Sequence, residues 1–144
     1  MRINGRWLLC DDGIVRPVIR GELLASDGSW KAAEFLLDIG ADRTVLSADI
    51  LSALNLPSFP ADDELMGVGG GADSVIVETP LHLTRETGFP ITFNHRWAAF
   101  TDATALDLCI LGRDITDLFA VIIDRPQDVV CLLNQRHRYT IVQD

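Results

Sequence analysis

The sequence predicts an all-β fold in one domain with one or two short helices. Three observations predict it: apolar residues recur with the short period of strands, turn residues punctuate β-branched runs at intervals of about ten, and only two stretches have helical spacing. At 144 residues the chain has the length of one domain and can bury a core without disulfides or metals. No fixed-period repeat or linker composition divides it, so residues 1–144 are read as a single domain.

Residues 14–24 alternate as a strand does, Ser26-Asp27-Gly28-Ser29 forms a turn, and residues 30–37 return as a second strand ending on an apolar pair. This hairpin delivers Asp38. Val45 and Leu46 make a short strand, after which Ser47 offers its hydroxyl as the N-cap of a helix over 48–54. Asp49 sits in the first turn, where the helix dipole favours an acid, and Pro57 and Pro60 stop the helix. Residues 65–68, a glycine cluster and residues 74–79 read as a β-hairpin with a glycine tip. Residues 81–84 and 91–100 are further strands joined through Glu86-Thr87-Gly88. After Cys109-Ile110-Leu111-Gly112, residues 113–119 have the spacing of one or two helical turns. Residues 120–123 and 129–133 are strands around Asp124-Arg125-Pro126-Gln127-Asp128, and 139–142 is the last strand predicted.

Composition narrows the function classes. A content of 48% hydrophobic and 23% charged residues describes a globular protein, on the apolar side for a monomer, so part of the excess is available for an interface. The formal charge of −9 opposes nucleic acid and anionic membranes, because such binding rests on Lys and Arg neutralising phosphates. Cys10, Cys109 and Cys131 are odd in number, far apart and set in apolar runs, which fits small buried hydrophobes and neither a disulfide framework nor a zinc knuckle. The apolar stretch near the N-terminus is too short for a signal-peptide core. With free thiols, this makes a cytoplasmic setting the expectation.

Two constellations carry chemistry, with a third between them. In Phe35-Leu36-Leu37-Asp38-Ile39-Gly40-Ala41-Asp42-Arg43-Thr44-Val45-Leu46 an apolar strand ends in Asp, turns at Gly and resumes as an apolar strand. A carboxylate is thereby held at a rigid strand end, and Gly40 allows close approach of a substrate or second chain. Gly67-Val68-Gly69-Gly70-Gly71 would form a mobile hairpin tip able to close over an extended peptide. Ile110-Leu111-Gly112-Arg113-Asp114-Ile115 leads an apolar pair and a glycine into a short helix.

Together, in this order, these segments resemble the retropepsins, the retroviral-type aspartic proteases. Their pattern is Asp-Thr/Ser-Gly-Ala between apolar strands, a glycine-rich flap, and an apolar-apolar-Gly-Arg-Asp/Asn stretch before the regular helix. The resemblance covers residues 30 to 124 and implies a retropepsin-like barrel in which each subunit supplies one catalytic aspartate. Asp38 would face its symmetry mate in a homodimer, since the chain holds a single Asp-x-Gly-Ala segment and is too short for two such lobes. The active-site loop would comprise Ile39, Gly40 and Ala41. Gly40, Asp42, Gly69, Gly70 and Gly71 would receive the substrate, and Arg113 would pair with Asp42 with Gly112 in support. The expected substrate is a peptide or protein, with hydrophobic residues flanking the cut and facing Val45, Val68, Val75 and Leu108. No metal or cofactor is required. The segment 119–133 also resembles the C-terminal hairpin of bacterial members.

The chain departs from that pattern in two places. Position 39 is Ile, where the family carries a Thr or Ser hydroxyl that reaches across the dimer axis. This raises an alternative, a dimeric protease-like module that binds peptides or proteins with weak or no catalysis. The chain also continues past the short helix, so residues 129–133 and 139–142 become candidate interface in place of interleaved termini. Three other readings fit less well. Gly67 to Ala72 fits a dinucleotide-binding glycine pattern in form, but a strand follows it where a helix is needed. No Gly-x-Ser-x-Gly elbow is present. His82, His95 and His137 share no metal-ligand spacing.

Overall fold

Three tight turns of one design set up the long strands. In residues 10–14, 25–29 and 85–89 the first N–H donates to the fifth carbonyl at 2.9, 2.8 and 3.0 Å, and the fourth N–H donates back to the first carbonyl at 2.9, 3.0 and 2.8 Å. The fourth residue is always glycine. Gly13, Gly28 and Gly88 have φ of +79°, +83° and +88°, left-handed values that side chains adopt only with strain. The structure is a computed structural model and describes residues 1–61, 65–67, 70–103, 107–134 and 142–143.

In chain order the elements are β1 (Arg2–Asn4), β2 (Arg6–Leu9), β3 (Val15–Leu24), β4 (Trp30–Leu37), β5 (Val45–Leu46), α1 (Ala48–Leu54), β6 (Ser58–Pro60), β7 (Leu65–Gly67), β8 (Gly70–Ala72), β9 (Ser74–Thr84), β10 (Pro90–Phe100), β11 (Cys109–Leu111), α2 (Arg113–Thr116), β12 (Ala120–Asp124) and β13 (Val129–Leu133). The large sheet runs β2-β3-β4-β11-β5-β10-β9-β6, and β3 also pairs with β9. Six strands, β3, β4, β11, β5, β10 and β9, therefore close on themselves as a barrel. Closure requires Gly21, which lies opposite Leu83: a Cβ there would come within 2.8 Å of Phe35 and 2.9 Å of Leu81. The enclosed core comprises Ile19, Leu23, Phe35, Leu46, Leu81, Leu83, Trp97 and Leu111, each fully or almost fully buried. Trp97 meets its polar obligation by donating from Nε1 to the Thr79 carbonyl at 2.8 Å.

Outside the barrel, β1, β13 and β12 form a second antiparallel sheet in that order. Gly5 turns the chain from this sheet into β2. It donates to the Val130 carbonyl at 2.8 Å, and a Cβ on it would stand 2.4 Å from the Val18 oxygen. Cys109 and Cys131 are buried, and burial pushes the Cys109 thiol up from its ordinary pKa, keeping it neutral.

The structure revises several sequence expectations. β1, β2 and β6 were not foreseen. β9 is one strand where two were expected, with Pro80 inside it. On that side of β9, the pairing to β6 ends at Val77 and the pairing to β3 begins at Leu81, so proline falls where no ladder bond is missed. The glycine hairpin closes earlier than expected, with β7 pairing β8 through Gly67 and Gly70 while β9 pairs with β10. Helix α1 has its expected N-cap, Ser47 accepting from Ile50, but ends at Asn55 in the left-handed conformation, before Pro57 is reached. Val68, Gly69 and the greater part of the strand expected over 139–142 lie outside the described residues.

Candidate active site

The loop from Asp38 to Thr44 joins β4 to β5, and β11 runs between those two strands, parallel to β4 and antiparallel to β5. Asp38 therefore emerges beside the end of β11, and its N–H donates to the Leu111 carbonyl at 3.2 Å. Its carboxylate Oδ1 accepts the Gly40 N–H at 2.9 Å, and its carbonyl accepts the Ala41 N–H at 3.2 Å. The side chain is thus aimed by its own turn. A Cβ at Gly40 would lie 3.2 Å from Oδ1, so a larger residue there would press on the carboxylate. Ile39, at the tip, is 64% exposed.

The far side of the loop is fixed by the segment that enters α2. A Cβ on Gly112 would stand 2.3 Å from the carbonyl carbon of Arg43, so glycine is the residue this crossing admits. The Arg113 N–H donates to the Ala41 carbonyl at 2.8 Å. The Thr44 hydroxyl, on a residue 1% exposed, accepts the Gly112 N–H at 3.1 Å and donates to Asp114 Oδ1 at 2.7 Å. The Thr44 N–H is shared between the two Asp114 oxygens at 3.0 Å each. Charge-assisted bonds to a buried partner are the strong class, so this clamp fixes the loop more firmly than a surface ion pair can. The Asp42 carboxylate and the Arg113 guanidinium form such a surface pair, with side chains 77% and 51% exposed, worth about 0–1 kcal/mol.

Of the residues predicted from the sequence, Asp38, Ile39, Gly40, Ala41, Asp42, Gly112 and Arg113 come together in this one assembly. Gly70 and Gly71 lie on β8, while Gly69 is outside the described residues. Val45 is a correction. It is 4% exposed and pairs with Ile110 inside the barrel wall, so it has no free surface to offer a substrate. Thr44 and Asp114 were quoted within the motifs but given no role. The available signal was a hydroxyl before a buried strand and an acid in the first turn of a helix, a pair able to bond only once the chain has folded.

No protein-family model matches the sequence, and no curated protein matches it either. Solved structures do. A retropepsin-like aspartic protease from Rickettsia conorii superposes with a TM-score of 0.58 at 16% sequence identity, over 92% of this chain and 97% of that one. The EIAV protease complexed with the inhibitor HBY-793 is 27% identical over 71% of this chain and 86% of its own, with a TM-score of 0.49. The Rickettsia superposition spans almost the whole of both chains, and the fold is retropepsin-like.

Proposed function

We propose that the chain is one half of an aspartic endopeptidase whose active site pairs Asp38 with Asp38 of a second copy. The observation that carries this reading is the carboxylate of Asp38, held by Gly40 at the mouth of a loop clamped from behind, within a retropepsin-like fold. One chain offers one such loop, so the pair requires two chains. Carboxyls about 3 Å apart share a proton, because both cannot ionise cheaply, and their apparent pKa values split. The ionised member takes a proton from a bound water, which attacks the scissile carbonyl. The protonated member donates to the carbonyl oxygen, and the resulting diol collapses as the pair passes the proton taken from water to the leaving nitrogen and takes one back from a diol hydroxyl, so that the C–N bond breaks and an amine and a carboxylic acid leave. The β7–β8 hairpin acts as a flap over an extended peptide.

Ile39 favours a second reading, a peptide-binding module with little turnover, since an exposed apolar side chain replaces a hydroxyl beside the carboxylate. Incubating the protein with a mixed peptide library from about pH 4 to 7, where a proton-sharing pair titrates, and reading new termini by mass spectrometry separates the two. Cleavage that Asp38→Asn abolishes supports the peptidase. Peptide capture without cleavage, by a confirmed dimer, supports the binding module. Ile39→Thr is expected to raise turnover or dimer affinity, and equality of both with the natural chain would refute the role given to Ile39.

A further inference from the structure

All of β10 from Pro90 to Phe100 pairs with β9 on one side, but on the other side β5 pairs with it only at Ala98 and Ala99. β10 therefore runs on past the seam of the barrel. Among the described residues, its edge from Thr92 to Trp97 on the β5 side has no strand partner. Alternate residues of an antiparallel strand turn both N–H and C=O to the same edge, so this one presents a row of unpaired donors and acceptors. At about 3.3 Å per residue it is roughly 17 Å long. The free edge of β6 carries Pro60 and follows Pro57, which blunt it, whereas Thr92 to Trp97 holds neither proline nor lysine. Its one basic residue, Arg96, lies over the Phe59 ring at 5.5 Å.

A cleft of about 340 Å³ lies along this edge. Neighbouring strand residues point to opposite faces, yet Thr92 and Asn94 line the cleft from one face and Phe93, His95 and Trp97 from the other. It follows the edge of the strand, with Asp114 of α2 across from it. Thr92, Asn94, His95 and Asp114 are exposed. His95 meets Trp97 edge-on at 5.1 Å, and Trp97, its indole N–H already given to Thr79, offers the cleft only ring surface. Asp114 Oδ2 accepts a single bond, from the Thr44 N–H, and a carboxylate oxygen can accept a second. No lysine or arginine lines the cleft, and the neighbouring Arg113 is turned to Asp42. Neither Asp38 nor Gly40 lines it. The cleft thus offers backbone groups in a row, flat apolar surface and one carboxylate in need of a cation.

We propose that the open edge of β10 is an exosite for an extended peptide segment bearing a lysine or arginine, which adds to the sheet as a further strand and sets its cation beside Asp114. Main-chain bonds along the edge supply affinity whatever the sequence, and the carboxylate and the rings supply the preference. Such a site selects substrates by a segment remote from the bond that is cut. That role rests on the peptidase reading above; docking of the peptide does not.

The test measures docking and turnover separately. Docking is followed on the full chain carrying Asp38→Asn, by backbone amide NMR, with the probe acetyl-Val-Lys-Val-Lys-Val-amide. Shifts are expected along Thr92 to Trp97 and at Asp114, saturating with a dissociation constant on the order of 0.1 mM, a weak affinity suited to a short peptide. The same peptide with glutamates for lysines is expected to bind about tenfold more weakly, and Asn94→Lys or Thr92→Lys to reverse that order with an unchanged unfolding midpoint. N-methylation of the valines or of the lysines removes the donors of one peptide edge or the other, and one of the two is expected to abolish binding. No shifts, shifts confined to Asp38 to Ala41, equal binding of the lysine and glutamate peptides, or indifference to both methylation patterns would overturn the exosite. Turnover is then measured on the natural chain with a longer substrate carrying the Val-Lys segment outside the cleaved stretch. A KM about tenfold below that of its Val-Glu counterpart, with kcat equal, is expected if the remote segment adds only binding. Equal KM values would overturn the role in substrate selection, whereas docking without any cleavage would support the site and count against the peptidase.

Discussion

The three glycine turns and the Asp38 loop both reverse the chain, but they are held in opposite ways. Each turn is complete within five residues, fixed by two local bonds and a glycine at positive φ. The Asp38 loop has local bonds around the carboxylate and the carbonyl of Asp38. The rest of its shape is imposed by Gly112, Arg113 and Asp114, which lie about 70 positions away along the chain. A turn of the first kind folds wherever its residues occur. A loop of the second kind exists only inside the finished barrel, so its carboxylate is positioned by the whole fold.

Substitutions at both kinds of reversal sharpen this contrast. Gly112→Ala should be the most damaging, since its methyl group would overlap the Arg43 backbone, which cannot move without dragging the loop. We expect a loss of about 3 kcal/mol or more in denaturant unfolding, at the upper end of overpacking costs, and no turnover. Asp114→Ala strips the clamp from buried Thr44 and leaves its N–H without the carboxylate, for about 1–3 kcal/mol. If peptide turnover survived Asp114→Ala unchanged while stability fell, the clamp would be structural only. Gly28→Ala meets no neighbour within 4 Å but must hold φ near +83°, which costs about 1 kcal/mol and should leave turnover intact. Asp42→Asn should change stability by about 0–1 kcal/mol, because its ion pair is exposed. A rise in KM for peptides with kcat preserved would give Asp42 its expected role in receiving substrate. Equal losses at Gly28 and Gly112 would erase the distinction between the two kinds of loop.

The same distinction explains what could be read in advance. Ser26-Asp27-Gly28-Ser29 and Glu86-Thr87-Gly88 were legible because the two bonds and the glycine that close each turn are adjacent in sequence, although Ser26 also donates to the Leu54 carbonyl and Glu86 to the Arg2 carbonyl. The motifs around Asp38 and Gly112 were legible as patterns, and their meeting followed from the family resemblance. The Thr44–Asp114 clamp was not legible, because neither residue has a local reason to bond the other. β1 and β2 escaped notice because Arg2 to Leu9 has no clean alternation and becomes strand only against β13 and β3. Pro80 suggested a break that the gap in the β9 ladder makes unnecessary. Val45 looked like a pocket residue because an apolar residue near a motif gives no hint of which side of the wall it faces.

The position of Gly112, Arg113 and Asp114 late in the chain also bears on synthesis. On the ribosome, Asp38 emerges long before the segment that shapes its loop, and a barrel closed by distant strands is the kind of topology that folds slowly, over about milliseconds to seconds. The nascent chain therefore carries its carboxylate without an assembled site until residues 111–114 are free. Whatever such a site acts on, the unfinished protein is spared from it.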